Sequence, residues 1–287
     1  MAEKVFLNDG LVNIDSASVS VADGGFLYGA GLFETMRSFN GKIFRLDDHL
    51  NRLFASAKTL SIHNTYEKDY IADAVYKTLE ANGLTDARLR LTLTSGRMNL
   101  TEEEPKPTLL ITAAQLQPYP AEYYKNGVLV VLSMSKQNPA DPTCGHKTIN
   151  YFSRMLSLNQ ARQKHAAEAL WFTVDNHLAE GCISNIFLVK DSTVYTPPLA
   201  TPVLPGVMRK TVCEIAADKD IKLEEKDLVI TDLLGADEVF LTNVIMQIMP
   251  VTMVEQHSVG DGRVGRVPAE LCKYLGEYIK EEYGISQ

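Results

Sequence analysis

Cysteine is scarce in this 287-residue sequence, and a long apolar run is missing. The four cysteines, Cys144, Cys182, Cys213 and Cys272, form no Cys-x-x-Cys pair, which argues against a zinc ribbon and a redox motif. No stretch approaches the roughly 18 apolar residues of a membrane span, and the N-terminal residues show no signal-peptide pattern. We therefore expect a cytoplasmic protein with reduced thiols and no membrane partner.

Excess basic charge and metal-binding patterns are missing as well. The chain has 28 Lys and Arg against 36 Asp and Glu, a formal net charge of −8, whereas a general nucleic-acid-binding protein carries a basic face. Its six histidines form no His-x-x-x-His pair, so a metalloprotease site is not predicted. We expect neither nucleic acid nor a metal ion among the ligands.

The length and the hydrophobic patterning predict two domains, each of mixed α+β structure. At about 150 residues a domain, a chain of 287 residues corresponds to two. The stiff, polar stretch 117–122 is typical of a linker. We place a smaller α+β domain at 1–120 and a larger α+β cofactor-binding domain at 121–287.

Local patterns predict individual elements of the first domain. Asn40-Gly41 predicts a tight hairpin turn, because both residues tolerate a positive φ. Asp47 is predicted to cap the helix that follows it. Farther along, the alternation of side chains along a strand places Arg88 and Arg90 on one face.

A glycine-rich segment, Gly29-Ala30-Gly31, is similar to part of a dinucleotide-binding loop. The third glycine of that motif is missing, because Glu34 stands in its place. The segment also leads into a predicted strand, whereas the motif requires a helix there. We therefore reject a Rossmann assignment.

Four other segments pair a polar residue with special backbone chemistry. They are His49-x-x-Arg52 on a helix, Lys147 before a helix, Glu180 at a strand end, and the pair 204–207 and 241–243. Helix N-termini and turns rich in free amides bind anions. Pyridoxal phosphate needs a lysine amine, an acid beside its ring nitrogen and donors for its phosphate. Together the four segments could hold such a cofactor.

The same segments match a family pattern. The block from Gly25 to Arg37 resembles the first signature of the class IV aminotransferases, the fold-type IV pyridoxal phosphate enzymes. Later blocks look like those of the family and come in its order: 48–53, 147–151, 180–187, 205–209 and 240–243. The resemblance implies a two-domain, D-amino-acid aminotransferase-like α+β fold, a homodimer, and pyridoxal 5'-phosphate at the domain interface.

The resemblance also implies roles for the cofactor-binding residues. Lys147 would carry the Schiff base and move the α-proton, Glu180 would hold a proton on the pyridine nitrogen, and Arg52 would bind the phosphate. The remaining cofactor-binding candidates lie at a helix N-terminus or a strand end: Val207, Met208, Thr242, Asn243 and Asn185.

The substrate-binding candidates lie on or beside two neighbouring strands: Tyr28, Phe33, Thr35, Arg37 and Arg90. Branched-chain aminotransferases use an arginine where Arg90 stands, and it could bind a substrate carboxylate through two hydrogen bonds. A salt bridge at the rim is the competing interpretation for Arg90. Arg37 could instead pair with Glu34 on a solvated face.

Three activities share this family pattern. The apolar Phe26, Leu32 and Phe33, together with Arg90, favour an aminotransferase. It would move an amino group between an amino acid, branched-chain or otherwise hydrophobic, and a 2-oxo acid such as 2-oxoglutarate.

The alternatives depend on other residues. Thr35, the short spacing from Lys147 to Tyr151, and Thr242-Asn243 favour an aminodeoxychorismate lyase, which releases pyruvate and leaves 4-aminobenzoate. A D-amino-acid aminotransferase is the third candidate, although its Arg-x-His pair is not found at Arg97-Met98-Asn99.

Overall fold

A computed structural model describes residues 3–97 and 106–284 of the chain, which form two β-sheets and the helices that flank them. The chain divides into two units. The first comprises Met1–Gln117, His146–Asn150 and Glu281–Gln287, and the second comprises Pro118–Gly145 and Tyr151–Lys280.

The described part of the first unit contains six strands and three helices, with a single 3-10 turn at Ile14–Ser16. In chain order they are β1 (Lys4–Leu7), β2 (Gly10–Asn13), α1 (Gly24–Tyr28), β3 (Gly31–Phe39), β4 (Lys42–Ile43), α2 (Leu46–Thr59), α3 (Lys68–Ala81), β5 (Ala87–Thr94) and β6 (Leu109–Gln115). The strands form an antiparallel sheet in the order β2-β1-β6-β5-β3-β4.

Local sequence explains two features of this unit. Asn40 and Gly41 have φ of 49° and 77°, so the predicted hairpin between β3 and β4 is confirmed. The predicted cap at Asp47 is wrong: α2 begins at Leu46 after Arg45, which has a left-handed φ of 46°, and Asp47 lies in the first turn. An acidic residue there still favours the helix, because it faces the positive end of the helix dipole.

One face of this sheet is apolar and the other is polar. Leu32, Met36, Leu89 and Leu91 are buried in a core shared with α2 and α3. The alternate residues of β3 and β5 point to the opposite face, because successive side chains of a strand alternate. Arg88 and Arg90 are among them, exposed and half-buried respectively, as the alternation predicts.

The second unit is built around a larger sheet. In the described residues its elements are α4 (Ala121–Asn126), β7 (Val128–Gln137), α5 (Phe152–Gln163), β8 (Glu168–Thr173), β9 (Leu178–Gly181), β10 (Asn185–Lys190), β11 (Thr193–Thr196), α6 (Val207–Asp218), β12 (Leu223–Glu225), α7 (Ile230–Leu234), β13 (Glu238–Asn243), β14 (Gln247–Val254), β15 (His257–Ser258) and α8 (Arg266–Tyr283). Residues 281–283 of α8 belong to the first unit.

This sheet is mixed. Its order is β12-β11-β10-β13-β14-β7-β8-β9, with β15 on β14. Strand β7 is parallel to β8 and β14, and α5 forms the connection between β7 and β8. Every residue of β8 and β9 is buried, as is typical of strands covered on both faces. The predicted α+β fold class is confirmed.

The domain bounds 1–120 and 121–287 stay a prediction, since compact units of a chain need not be independent domains. The units differ from those bounds chiefly at two segments. Residues 146–150 and 281–287 belong to the first unit although they follow residue 121. Backbone hydrogen bonds explain the first segment: Phe33 N–H donates to Lys147 O and Ile149 N–H to Gly31 O, each at 2.9 Å.

Candidate functional site

Lys147 lies beside β3 of the first unit. Its backbone is held there by the hydrogen bond from Phe33, and its side chain is half-buried. The Nζ atom lies 4.4 Å from the centroid of the Phe33 ring. This lysine is therefore held against an aromatic wall, unlike a freely solvated surface lysine.

Arg90, on the polar face of the sheet, contacts the same aromatic ring as Lys147. The Arg90 guanidinium carbon lies 3.9 Å from the same Phe33 ring centroid. Thr35, half-buried, is the register partner of Arg90. The structure thus brings three predicted substrate-binding residues, Phe33, Thr35 and Arg90, together with Lys147.

Arg37 and Tyr28 lie in different surroundings. Arg37 is half-buried on β3, with its guanidinium carbon 4.2 Å from the Phe39 ring centroid. Its suggested pairing with Glu34 is wrong, because residues three apart on a strand point to opposite faces. Tyr28 ends α1, and 68% of it is exposed.

Glu34 points instead into the space beneath α2. Its carboxylate accepts a hydrogen bond from Arg52 Nε at 2.8 Å and contacts His49 Nδ1 at 2.7 Å. All three side chains are nearly inaccessible to solvent. His49 and Arg52 are three residues apart on one helix face, so both side chains reach the same carboxylate.

The charges in this cluster are set by burial and by the partners. Burial alone would raise the pKa of Glu34, but Arg52 and the His49 hydrogen bond hold it at about 2. Burial lowers the pKa of His49 despite the neighbouring carboxylate. The His49 Nε2 atom is buried with no hydrogen-bond partner in the described residues. Arg52 is thus fixed in place by an ionised Glu34.

Glu180 lies on β9 of the second unit and is buried. Its Oε1 accepts a hydrogen bond from Arg154 Nη2 at 2.8 Å, and its Oε2 accepts one from Leu204 N–H at 2.9 Å. Asn185 Nδ2 lies 3.4 Å from Oε2 and donates to Leu204 O at 2.9 Å. Both carboxylate oxygens therefore receive hydrogen bonds.

A second carboxylate holds the turn that follows Glu180. Glu168 is fully buried and accepts hydrogen bonds at 3.0 Å from the backbone N–H groups of Cys182 and Ile183. Ser184 Oγ donates to it at 2.9 Å. Burial raises the pKa of Glu168, and these hydrogen bonds oppose the rise.

The N-terminus of α6 has the properties of an anion site. In the described residues no side chain caps this helix, which begins at Val207 and Met208. A Cβ on Gly206 would lie 2.0 Å from Asn185 Oδ1, so the approach requires glycine. Thr242 is the register partner of Asn185, and its buried Oγ1 has no hydrogen-bond partner in the described part of the chain. An orphaned hydroxyl near uncapped amides fits a phosphate group.

Asn243 has a structural part in the same region. Its Nδ2 donates to Ile183 O at 3.0 Å, and its Oδ1 accepts from the N–H groups of Ile245 and Met246. These contacts engage the side chain in holding two turns.

Sequence reasoning missed the partners of the predicted residues. His49 stands three residues before Arg52 in one block, so its place beside Arg52 was a detectable signal, whereas the contact of Glu34 with Arg52 was not. Arg154 and Glu168 belong to no block that we singled out, and only the structure shows their contacts with Glu180 and its turn.

The described residues contain neither a metal-binding cluster nor a membrane-spanning helix. No cluster of three or more His, Cys, Asp or Glu side chains could hold a metal ion. Over the same residues, no helix has both the length and the apolar character to cross a membrane. Of the segment Arg97-Met98-Asn99, the last two residues lie outside the described ranges.

Comparison with known proteins identifies relatives of the whole chain. The family model for amino-transferase class IV matches residues 31–254. A Methanocaldococcus jannaschii protein, provisionally named a branched-chain-amino-acid aminotransferase, is 32% identical and is covered over 98% of each chain. The D-alanine aminotransferase of Listeria monocytogenes is 28% identical over the same share of each chain. The aminodeoxychorismate lyase of Bacillus subtilis is 34% identical over 89% of this chain and 88% of its own.

Solved structures show the same fold. The branched-chain amino acid aminotransferase of Escherichia coli superposes with a TM-score of 0.91, at 28% identity, over 96% of this chain and 94% of its own. The expected fold-type IV architecture is confirmed by this match.

Proposed function

Since the chain belongs to the class IV aminotransferases, a family of pyridoxal-phosphate-dependent enzymes, we propose that it moves an amino group between a hydrophobic amino acid, such as a branched-chain one, and a 2-oxo acid such as 2-oxoglutarate. The observation that carries this proposal is the half-buried Lys147 beside Phe33 and Arg90. There a reactive amine, an apolar wall and a carboxylate-binding arginine share one sheet face.

The candidate residues for pyridoxal 5'-phosphate would have separate roles. Lys147 would bind it covalently through Nζ, and Glu180 would face its ring nitrogen. Its phosphate would be bound by Arg52 and by the group Val207, Met208, Thr242, Asn243 and Asn185. The orphaned Thr242 hydroxyl and the uncapped start of α6 support this phosphate site.

The bound cofactor supplies an electron sink for charge that develops beside the substrate nitrogen. Lys147 Nζ is the group that would take the proton from the substrate α-carbon and return it. Glu180, held by hydrogen bonds from Arg154 and the Leu204 amide, would accept a hydrogen bond from a protonated ring nitrogen. Arg52, held by Glu34, would neutralise phosphate charge.

The substrate would lie over the polar sheet face. Arg90 would bind a carboxylate, and Phe33 would pack on the apolar part of the substrate. Thr35, Arg37 and Tyr28 would complete the pocket. Arg37 and Arg90 make this face locally cationic in a protein of net charge −8, which suits anionic amino and oxo acids.

Aminodeoxychorismate lyase is the second candidate, and the 34% identity to the Bacillus subtilis lyase favours it. A D-amino-acid aminotransferase is the third, favoured by the full-length match to the Listeria enzyme. All three would use Lys147 to bind the cofactor. They differ in the substrate, and the lyase differs also in the reaction, because it releases pyruvate without an amino acceptor.

A homodimer in the cytoplasm completes the proposal. Apolar side chains of one short segment are strongly exposed: 78% of Val21, 74% of Phe26 and 68% of Tyr28. Clustered apolar exposure of this kind is typical of an interaction surface. A second copy of the chain would cover it.

The proposal is tested with purified protein, pyridoxal 5'-phosphate and a substrate panel. The wild-type protein should bind the cofactor with a visible absorption band that borohydride makes permanent, whereas Lys147→Ala should not; Lys136→Ala, at a lysine elsewhere in the chain, is the control. Glutamate formed from 2-oxoglutarate with L-leucine indicates the aminotransferase, and with D-alanine the D-specific enzyme. Pyruvate released from aminodeoxychorismate without an acceptor indicates the lyase. A protein that stays colourless contradicts all three.

A further inference from the structure

The Arg154 side chain makes three hydrogen bonds and one contact with an aromatic ring. It lies in the first turn of α5, and its Nη1 donates to Gly181 O at 2.8 Å. Its Nη2 donates to Glu180 Oε1 and to Gln137 Oε1, both at 2.8 Å. Its guanidinium carbon lies 4.5 Å from the Trp171 ring centroid. The planar group is therefore held in one orientation from several sides.

The contacts surround the strand end that carries Glu180. Trp171 is the register partner of Glu180, and Gly181 is the residue that follows Glu180 in the chain. Arg154 thus binds the carboxylate, the next carbonyl and the neighbouring ring at once. The side chains of Arg154 and Glu180 are only 16% and 9% exposed, so little water competes for them.

The donors around Glu180 limit the hydrogen bonds that its carboxylate can still accept. An arginine keeps its proton in proteins, so Arg154 can only donate. Leu204 N–H also donates, to the other oxygen. Asn185 Nδ2 is a third donor, 3.4 Å from Oε2. The carboxylate therefore retains acceptor capacity for one further N–H group, because two oxygens offer about four acceptor positions.

We propose that Arg154 is a positioning residue for Glu180: it holds the carboxylate in one orientation, and thereby sets the protonation of the cofactor's ring nitrogen. This inference rests on the proposed function, and it adds a residue that lies in none of the family blocks found in the sequence. Arg154 acts through Glu180 and is not itself a catalytic residue.

The test compares Arg154→Gln with Arg162→Gln, which changes an exposed arginine on the same helix. Each protein is titrated with pyridoxal 5'-phosphate, and the visible band of the bound cofactor is then followed against pH. We expect Arg154→Gln to weaken cofactor binding about ten-fold. We also expect the pH midpoint of the band to rise by about one pH unit. A ring nitrogen without its proton no longer repels the proton whose release changes the band. Arg162→Gln should match the wild type.

A double substitution separates positioning from general support. In a Glu180→Gln background, Arg154→Gln should cause no further rise of the midpoint, because the carboxylate through which it acts is gone. If the midpoint stays at the wild-type value in Arg154→Gln, or rises again in the double variant, the positioning role is wrong. If Arg154→Gln does not fold, as judged from its melting curve, Arg154→Lys is used with a rise of at least about half a pH unit as the criterion. A wild-type protein without a visible band contradicts the proposed function itself, and this inference with it.

Discussion

Two buried glutamates, one in each unit, have opposite electrostatic environments. Glu34 is 1% exposed and its pKa is held at about 2, whereas Glu168 is 0% exposed and its pKa is raised. Burial raises the pKa of both. The difference lies in the partners: Arg52 and His49 face Glu34, and neutral N–H and O–H donors face Glu168.

The comparison shows what each carboxylate contributes. A full positive charge overcomes the loss of hydration, while neutral dipoles offset only part of it. Glu34 fixes an arginine that can serve an anionic ligand, and Glu168 fixes the backbone of a turn. Glu34 therefore acts through its charge, whereas Glu168 acts through hydrogen bonds that hold the backbone.

Removal of the charge at Glu34 should have the largest effect. Glu34→Gln leaves the buried Arg52 without its counter-charge, and we expect the free energy of unfolding to fall by about 3–5 kcal/mol. Urea denaturation at neutral pH measures it, with Glu80→Gln, at an exposed position of α3, as the control. A loss no larger than that of the control would show that the ion pair does not stabilise the first unit.

Acid should remove the same contribution in the wild-type protein. The unfolded chain takes up the Glu34 proton near the ordinary pKa of 4.5, and the folded protein only near 2. The stabilisation is complete above pH 4.5 and is lost as the pH falls through about 2. The loss should be on the order of 3 kcal/mol. Unfolding free energies of wild type and Glu34→Gln, measured across this range, should converge; parallel curves would contradict the lowered pKa.

Glu168→Gln should cost less. An amide in place of the carboxylate turns an NH₂ group toward backbone donors, so we expect a loss of about 1–3 kcal/mol. No buried cation is left behind, which makes the loss smaller than at Glu34. The stability of wild type relative to this variant should also fall as the pH rises above 4.5, because the folded-state pKa is raised.

The control for this position is Glu122→Gln on the exposed face of α4. Urea denaturation of the three proteins measures the difference. A larger loss at Glu168 than at Glu34 would reverse the order that the two environments predict.

Thr242→Val should have the smallest effect on stability, within about 0.5 kcal/mol, because the hydroxyl that it removes has no hydrogen-bond partner in the described residues. Thr196→Val is the matched control, since Thr196 Oγ1 donates to Ile186 O at 2.8 Å. That change should cost about 1 kcal/mol. Pyridoxal 5'-phosphate should bind about ten-fold more weakly to Thr242→Val. Unchanged cofactor affinity would exclude the hydroxyl from the phosphate site.

Sequence reasoning succeeded where a property depends on neighbours along the chain. The Asn40-Gly41 hairpin was predictable because the two residues themselves tolerate a positive φ. The faces of Arg88 and Arg90 followed from strand alternation. The start of α2 was placed two residues too late, because Arg45 adopts a left-handed conformation that no common capping residue marks.

Contacts between distant residues were beyond that reasoning. Glu34 and Arg52 are 18 positions apart on a strand and a helix, and Arg154 and Glu180 are 26 apart. Alternation shows which face Glu34 occupies but not what packs against that face. The family pattern supplied the candidate residues Lys147, Glu180 and Arg52, whereas only the structure shows which residues contact them.

The amino-acid sequence alone established the family pattern, the acidic balance and the alternation of the strands, because each is written in residue type and spacing. Tertiary structure decided which carboxylate meets a cation. Glu34 and Glu168 are the same residue type at the same depth, and only packing gives one of them Arg52 and the other a row of backbone amides. Charge state follows from burial and partners together, and both arise from contacts far apart in the chain.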